Sequence, residues 1–281
     1  MININSLLND GQKILSNSLI KTSMLDAEIL LCCALKRSFK EVVIDRNISI
    51  KINEINIYKD LIRRRKLGEP VAYIVKNKEF WKHSFYVNRN VLIPRPDSEI
   101  IIEEALKIME RKDKGFILDI GTGSGCLVIS LAKERQNFFY SAIDISKKAI
   151  KVAKINAKMH QLENRIKFYQ SCVDNFFKGK YDLIISNPPY INKLKLKNLD
   201  KDIFGFEPLI ALEGGLDGSS ILNKVIKKSS SLLKVGGKLI LEIGFDQKLK
   251  TMKFLKSEGF YVNKVIKDYG NNDRCIISTK I

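Results

Sequence analysis

The stretch Phe116-Ile-Leu-Asp-Ile-Gly-Thr-Gly-Ser-Gly125 decides the fold. Five residues of buried-strand character run straight into a glycine turn, and Cys126 to Arg135 follows with helical spacing. Strand, Gly-rich turn and helix in that order open an α/β sheet whose ligands bind outside the carboxyl ends of the strands. Glycines at such a turn let a ligand approach the backbone. The spacing is G-x-G-x-G, not the G-x-G-x-x-G of pyrophosphate binders, so the turn alone does not name the ligand.

Downstream, short apolar runs at Phe138 to Ile143, Ile166 to Tyr169, Tyr181 to Ser186 and Lys238 to Ile243 alternate with helical stretches such as Lys147 to Met159. The pattern predicts a doubly wound sheet. Two last strands, about Phe260 to Val265 and Cys275 to Thr279, follow a helix near Leu249 to Ser257; the polar join Asp268 to Asp273 permits antiparallel pairing. Upstream, Ile4, Leu7, Leu8, Ile14 and Leu15 keep helical spacing, Ser23 with Asp26 resembles a capping box before Leu25 to Leu35, and Ile55, Tyr58, Leu61 and Ile62 mark another amphipathic segment. Val71 to Val75, Glu79 to Trp81 and Phe85 to Val87 are aromatic and β-branched with polar breaks, which predicts a hairpin ended by Pro94-Arg-Pro-Asp97, with Ser98 capping a helix through Ile100 to Met109. The expected organisation is a helical bundle over 1–70, a hairpin linker over 71–95 and the sheet domain over 96–281.

With 281 residues, 45% apolar and 28% charged, a packed core is expected. No apolar run approaches the roughly 20 residues of a membrane span, and Met1-Ile-Asn-Ile-Asn lacks a signal or transit pattern, so the expected compartment is the cytoplasm. Cys32, Cys33, Cys126, Cys172 and Cys275 form no C-x-x-C pair, and neither His83 nor His160 has a suitable partner nearby in sequence. Metal and histidine-base chemistry are therefore not expected. The net charge of +18 invites a nucleic-acid reading, but eleven of the 49 basic residues are arginine and the other 38 lysine, in a chain also crowded with Ile and Asn. That reads as compositional bias of a proteome. Arg63-Arg-Arg-Lys66 precedes Gly68 and Pro70, where cations complement a helix C-terminus.

Two further features carry chemistry. Asp144 ends the second strand, 19 residues past Gly125, where a carboxylate can accept two hydrogen bonds from a ribose diol; taken alone it also suits the cap of a helix starting at Ser146. Ser186-Asn-Pro-Pro-Tyr190 ends the fourth strand. Each proline fixes its own φ and pushes the residue before it out of the helical region, so Asn187 is held extended, its carboxamide placed to grip a flat NH2 group. Taken alone the segment is a proline-stopped strand end, and Tyr190 a strand-end aromatic.

A Gly turn on strand one, an acid on strand two and Asn-Pro-Pro-Tyr on strand four resemble, in that order, the S-adenosylmethionine-dependent methyltransferases that modify amino groups. Gly68-Glu-Pro-Val-Ala-Tyr-Ile74, Glu79-Phe-Trp81, Val91 to Glu99, Phe206-Glu-Pro208 with Ala211 to Gly218, Leu241-Glu-Ile-Gly244 with Gln247, and Asp268 to Arg274 narrow the likeness to the HemK/PrmC family. The resemblance implies a Rossmann-like class I methyltransferase sheet of seven strands, the last antiparallel, behind a small helical domain. It implies methylation, without a metal, of the N5 side-chain nitrogen of a glutamine in the Gly-Gly-Gln-type loop of peptide chain release factors. It further implies that Gly121, Thr122, Gly123, Ser124, Gly125, Asp144 and Asn187 hold S-adenosylmethionine, and that Asn187, Pro188, Pro189 and Tyr190 hold and activate the glutamine, Tyr190 packing on the amide plane. Glu207 and Pro208 are expected to shape the approach to the site and Arg95 to brace the domain junction. Gln170-Ser-Cys-Val-Asp-Asn-Phe176 departs from the family, which usually has an acid and an aromatic after the serine, so Val173, Asp174 and Asn175 remain alternatives for the adenine contact. The competing function is methylation of the exocyclic NH2 of a flipped nucleobase, which offers the same planar group. A non-catalytic RNA-binding module would require neither the Gly turn nor the Asn-Pro-Pro-Tyr segment.

Overall fold

The structure, a computed structural model, describes residues 3–44 and 48–281. Packing divides the chain into Met1–Asn77 with Asp200–Phe206, and Lys78–Leu199 with Glu207–Ile281.

The first unit is helical, with α1 (Ile4–Ser16), α2 (Ser23–Leu35), α3 (Phe39–Ile44), α4 (Ile52–Lys66) and α5 (Val71–Val75). Asn3 starts α1 by accepting the Ser6 N–H at 2.9 Å while Ser6 Oγ accepts the Asn3 N–H at 3.2 Å. Ile4, Leu7, Leu8 and Leu15 then share one face and meet Leu30, Leu31, Tyr58 and Ile62 in the core. The capping box expected at Ser23 is absent: α2 begins at Ser23, and Asp26 turns inward to an ion pair with Arg65 at 2.7 Å. A buried guanidinium needs a carboxylate more than a helix end needs a second cap. Val71–Val75, expected as strand, is a turn of helix, because Pro70 at the cap position carries a helix-entry φ and burial of Tyr73 and Ile74 outweighs β-branched preference. The cluster at the end of α4 is paired: Arg63 with Asp60 at 2.6 Å, Arg64 with Glu69 at 2.8 and 2.9 Å, Arg65 with Asp26.

In the second unit, β1 (Asn77–Phe80) and β2 (His83–Tyr86) form a hairpin that sends Phe80 and Phe85 into that unit's core. There follow α6 (Glu99–Met109), β3 (Phe116–Ile120), α7 (Cys126–Glu134), β4 (Phe139–Asp144), α8 (Lys147–Met159), β5 (Ile166–Gln170), β6 (Tyr181–Ser186), α9 (Lys201–Phe204, within the first unit), α10 (Ser220–Leu232), β7 (Leu233–Glu242), α11 (Lys248–Ser257), β8 (Phe260–Lys267) and β9 (Asp273–Lys280). The sheet order is β5-β4-β3-β6-β7-β9-β8, with β9 antiparallel to both neighbours. Along each central strand, successive apolar residues serve opposite cores: Ile117, Leu183 and Ile240 face one, Leu118, Ile184 and Leu239 the other. Strand order reverses between β3 and β6, the switch point at which open sheets bind ligands. There Ile120 pairs with Ile143 and with Ser186, and Ser186 pairs with Leu241. The residues that follow, Gly121, Asp144, Asn187 and Glu242, therefore emerge side by side.

Candidate active site

A cavity of about 360 Å³ opens at this switch point, lined by the Gly121–Ser124 turn, Asp144 to Ser146, Ser171 to Val173, Asn187 to Pro189, and segments near Leu92 and Ile210. Gly121 and Gly123 have φ of +76° and +56°, and a Cβ built on either would meet nothing within 4 Å. Their bareness leaves open space over the backbone. Gly125 serves packing instead, since a Cβ there would lie 2.9 Å from Ile129 and 3.2 Å from Ala153.

Asp144 is already engaged by the backbone: Oδ2 accepts from Gly123 N–H at 2.9 Å and Oδ1 from Ser146 N–H at 2.8 Å. Burial raises its pKa, opposed by these two N–H groups. Each oxygen keeps a further lone pair. The helix cap proper is Ser146, whose hydroxyl accepts the Ala149 N–H at 3.1 Å. Beneath the turn lies Asp119, which the sequence reading quoted but gave no role. It is fully buried, accepts the Thr122 hydroxyl at 2.7 Å on one oxygen, and has no partner on the other among the described residues. Burial pushes its pKa up to about 7, with the Asp144 charge adding to the rise. Of the three alternatives for the adenine wall, Val173 lines the cavity, while Asp174 and Asn175 are exposed, Asp174 pairing with Lys224 at 2.9 Å.

At the end of β6, Asn187 donates through Nδ2 to Ser98 Oγ at 2.9 Å, and Ser98 donates in turn to Glu242 Oε2 at 2.6 Å. Ser98 stands at the N-cap position of α6 as expected, but its hydroxyl makes no cap hydrogen bond; it closes a 3-10 turn over Pro96–Ser98 and spends that hydroxyl on Glu242. Tyr190 lies outside the cavity lining. Its hydroxyl donates to Glu242 Oε1 at 3.3 Å and accepts from Arg274 Nη1 at 3.4 Å, and burial drives its pKa up, the Glu242 charge adding to the rise. Arg274 is held by Asp268 at 2.8 Å. The exit from Asn-Pro-Pro-Tyr is clamped: Gln247 Nε2 donates to Tyr190 O at 3.1 Å and to Gly218 O at 2.9 Å. A Cβ on Gly218 would sit 2.4 Å from Tyr190 O, and one on Gly214 2.8 Å from Pro189 O. The Gly-rich 211–218 segment is a close-fitting brace for the site. Glu207 accepts from Ile93 N–H at 3.1 Å and pairs with Arg95, so Arg95 secures two walls of the cavity within its own unit. Among the described residues no group of His, Cys, Asp and Glu could hold a metal ion, and no helix is long and apolar enough to cross a membrane. The two histidines do meet in space, their rings 5.5 Å apart, on β2 and at the end of α8.

Ser98 and Glu242 are 144 residues apart, and only the folded turn before α6 brings the serine onto the end of β7.

Two family descriptions match the chain, "PrmC N-terminal domain" over residues 6–75 and "Methyltransferase small domain" over 99–204. A "Release factor glutamine methyltransferase" of Buchnera aphidicola from Acyrthosiphon pisum is 39% identical, covering 91% of this chain and 91% of its own. One from the Schizaphis graminum strain is 38% identical, covering 99% of this chain and 100% of its own. Among solved structures, ribosomal protein L11 methylase from Lactobacillus delbrueckii subsp. bulgaricus superposes with a TM-score of 0.51 at 20% identity, over 73% of this chain and 89% of that one, a likeness of fold. With the two family models matching residues 6–75 and 99–204 and relatives of this identity covering the chain nearly end to end, the chain belongs to the family of release factor glutamine methyltransferases.

Proposed function

We propose that the protein methylates the N5 side-chain nitrogen of a glutamine in the Gly-Gly-Gln-type loop of peptide chain release factors, with S-adenosylmethionine as donor. The observation that carries the reading is the Asn187 carboxamide. Its NH2 end is committed to Ser98 at 2.9 Å, so the oxygen is the end left for a ligand at the cavity. S-adenosylmethionine suits the residues around it. The turn offers open backbone at Gly121 and Gly123 with Thr122 and Ser124 lining the cavity, Gly125 packs behind it, Asp144 keeps lone pairs for ribose hydroxyls, Asp119 has an unpartnered oxygen beneath the turn, and Val173 supplies an apolar wall. When bound, it supplies an electrophilic methyl group on a sulfonium sulfur.

A glutamine amide nitrogen is a poor nucleophile because its lone pair is shared with the carbonyl. Asn187 Oδ1 and the Pro188 carbonyl accept its two N–H bonds and fix its orientation, so proximity and aimed dipoles lower the barrier. Neither acceptor is basic enough to keep a proton, so the one the nitrogen sheds goes to water. Pro188 and Pro189 make the strand end rigid, and Tyr190 acts behind it through Glu242. The densest basic cluster makes no case for nucleic acid, since its three arginines are each paired with a carboxylate. Methyl-labelled S-adenosylmethionine incubated with purified release factors, RNA and DNA in parallel tests the proposal. Label is expected on release factors alone and lost when their loop glutamine is replaced; label on RNA or DNA with release factors unmodified transfers the reading to an exocyclic base amine.

A further inference from the structure

The hydrogen-bond chain behind Asn187 has a direction. A carboxylate only accepts, and a serine hydroxyl has one proton. Glu242 Oε2 takes that proton at 2.6 Å, which leaves Ser98 Oγ able only to accept, and what it accepts at 2.9 Å is an Asn187 N–H. We propose that Glu242 is a positioning residue that sets the polarity of Asn187: ionised, it holds Ser98 as an acceptor and so presents the asparagine oxygen to the substrate amide.

The proposal rests on the function argued above and deepens it, since only an oxygen facing the cavity can accept the N–H groups of a glutamine side chain. With a proton on Oε2, Glu242 becomes the donor to Ser98, Ser98 is free to donate to an asparagine oxygen, and the carboxamide turns over. An NH2 group would then face the substrate NH2, two donors with nothing between them. The register makes the relay possible: Ser186 pairs with Leu241, so Asn187 and Glu242 leave neighbouring strands side by side, and the turn before α6 brings Ser98 between them.

The surroundings of Glu242 suit a group that titrates near neutrality. It is 1% exposed and receives hydrogen bonds from the Ser98 and Tyr190 hydroxyls. Arg274 on β9 lowers its pKa from beyond Tyr190, but that guanidinium is bound to Asp268 at 2.8 Å and lies 3.6 Å from Asp97. Asp97, in the turn before α6, raises it; Cys126 on α7 and Cys275 on β9 are thiols that burial keeps neutral, and Glu104 on α6 is paired with Lys107 and Lys264. Burial dominates and places the Glu242 carboxyl at about 7.

The test uses the full chain and the nearly isosteric Glu242→Gln, whose amide can face Ser98 with either end. Wild-type kcat on a release factor is expected to fall on the acid side of neutrality. In Glu242→Gln that limb should vanish and kcat at high pH drop by about tenfold, with KM and S-adenosylmethionine affinity changed by less than about twofold. Ser98→Ala should lose the same limb, and adding Glu242→Gln to it should cost less than about twofold more, because both break one chain. Independently of activity, the side-chain NH2 signal of 15N-labelled Asn187, assigned by its absence in Asn187→Ala, should shift with pH in the wild type and stay fixed in Glu242→Gln. An acid limb that survives the substitution, or an Asn187 signal that does not titrate in the wild type, overturns the relay. A wild type that leaves release factors unmodified at every pH overturns the function instead, while the NMR titration still judges the relay. If Glu242→Gln does not fold, Ser98→Ala and the wild-type titration decide.

Discussion

The core of the helical unit and the strand ends of the sheet treat buried charge in opposite ways. In the helical unit Asp26 meets Arg65 directly at 2.7 Å, and Arg64 grips Glu69 through two bonds. At the strand ends of the other unit, Asp119 and Glu242 are buried at least as deeply, yet their direct partners are hydroxyls, and burial pushes both up to about 7. Direct ion pairing makes a charge inert and structural. Carboxylates left without a cation in contact cost stability, and such groups gather where a site needs directed acceptors.

The largest effect expected from this contrast is in the helical unit. Asp26→Ala leaves the Arg65 charge in the core with only the Glu69 carbonyl at 3.2 Å and the more distant Asp202 carboxylate at 3.9 Å, and should lower stability by about 3 kcal/mol in urea unfolding, whereas Asp26→Leu with Arg65→Met should recover most of it. A single-variant loss below about 1 kcal/mol would mean that the pair is not a buried one, and the contrast would fail. Next comes Asn187→Ala, which removes an oriented acceptor without touching the core. Turnover on a release factor should fall by about 10²–10³-fold while calorimetric affinity for S-adenosylmethionine changes little, since the lost dipole acts mainly in the transition state.

Which of these features the sequence disclosed follows from how local their causes are. The strands were legible because short apolar runs bounded by Gly, Pro and Asn have local causes, and the Gly121–Gly125 turn and Asn-Pro-Pro-Tyr because φ and donor constraints act within a few residues. Val71–Val75 was misread as strand because its β-branched residues state a preference that burial of Ile74 in the helical core overrides. Ser23, Asp26 and Ser98 were read as caps from spacing alone, while the partners that claim Asp26 and Ser98 stand 39 and 144 residues away. The attachment of Asp200–Phe206 to the helical unit is non-local in the same sense. That Val173 lines the cavity while Asp174 stands beside Lys224 depends on the turn after β5, which no local pattern in the sequence declares.

Asp144 sits between the two behaviours, a carboxylate bound by backbone N–H groups and still facing the cavity, and its loss should have a smaller effect. Asp144→Ala removes the acceptors proposed for the ribose together with the brace on Gly123, so affinity for S-adenosylmethionine should weaken by about 1–3 kcal/mol. Hydrogen exchange at the Gly123 amide should quicken in the same variant. Unchanged calorimetric affinity in the folded variant would remove Asp144 from the site and leave it a loop brace only.

The smallest effect carries the sharpest sign. Glu242 rises from an ordinary value near 4.5 to about 7 on folding, and Asp119 from near 3.8 to about 7, both mainly through burial. Between those limits the folded chain holds more protons than the unfolded chain, so these two groups make unfolding free energy rise as pH falls through about 7, their contribution being complete below about 4. Glu104 and Asp182, pulled down by contacts with lysines, act in the opposite sense and only at lower pH, as their own protonation begins. Urea unfolding between about pH 5 and about pH 8 should therefore carry a share that increases toward acid, each of the two groups adding at most about 1.4 kcal/mol per pH unit, against the opposing share of His83, whose pKa burial lowers. Glu242→Gln should remove its share of the slope and leave that of Asp119. A slope that Glu242→Gln left unchanged would place the strand-end carboxyl on the same footing as the paired ones and remove the distinction. If the slope holds, the proton that steadies the fold is the one that turns Asn187 away from its substrate, and the protein should be most stable at a pH where it is least active.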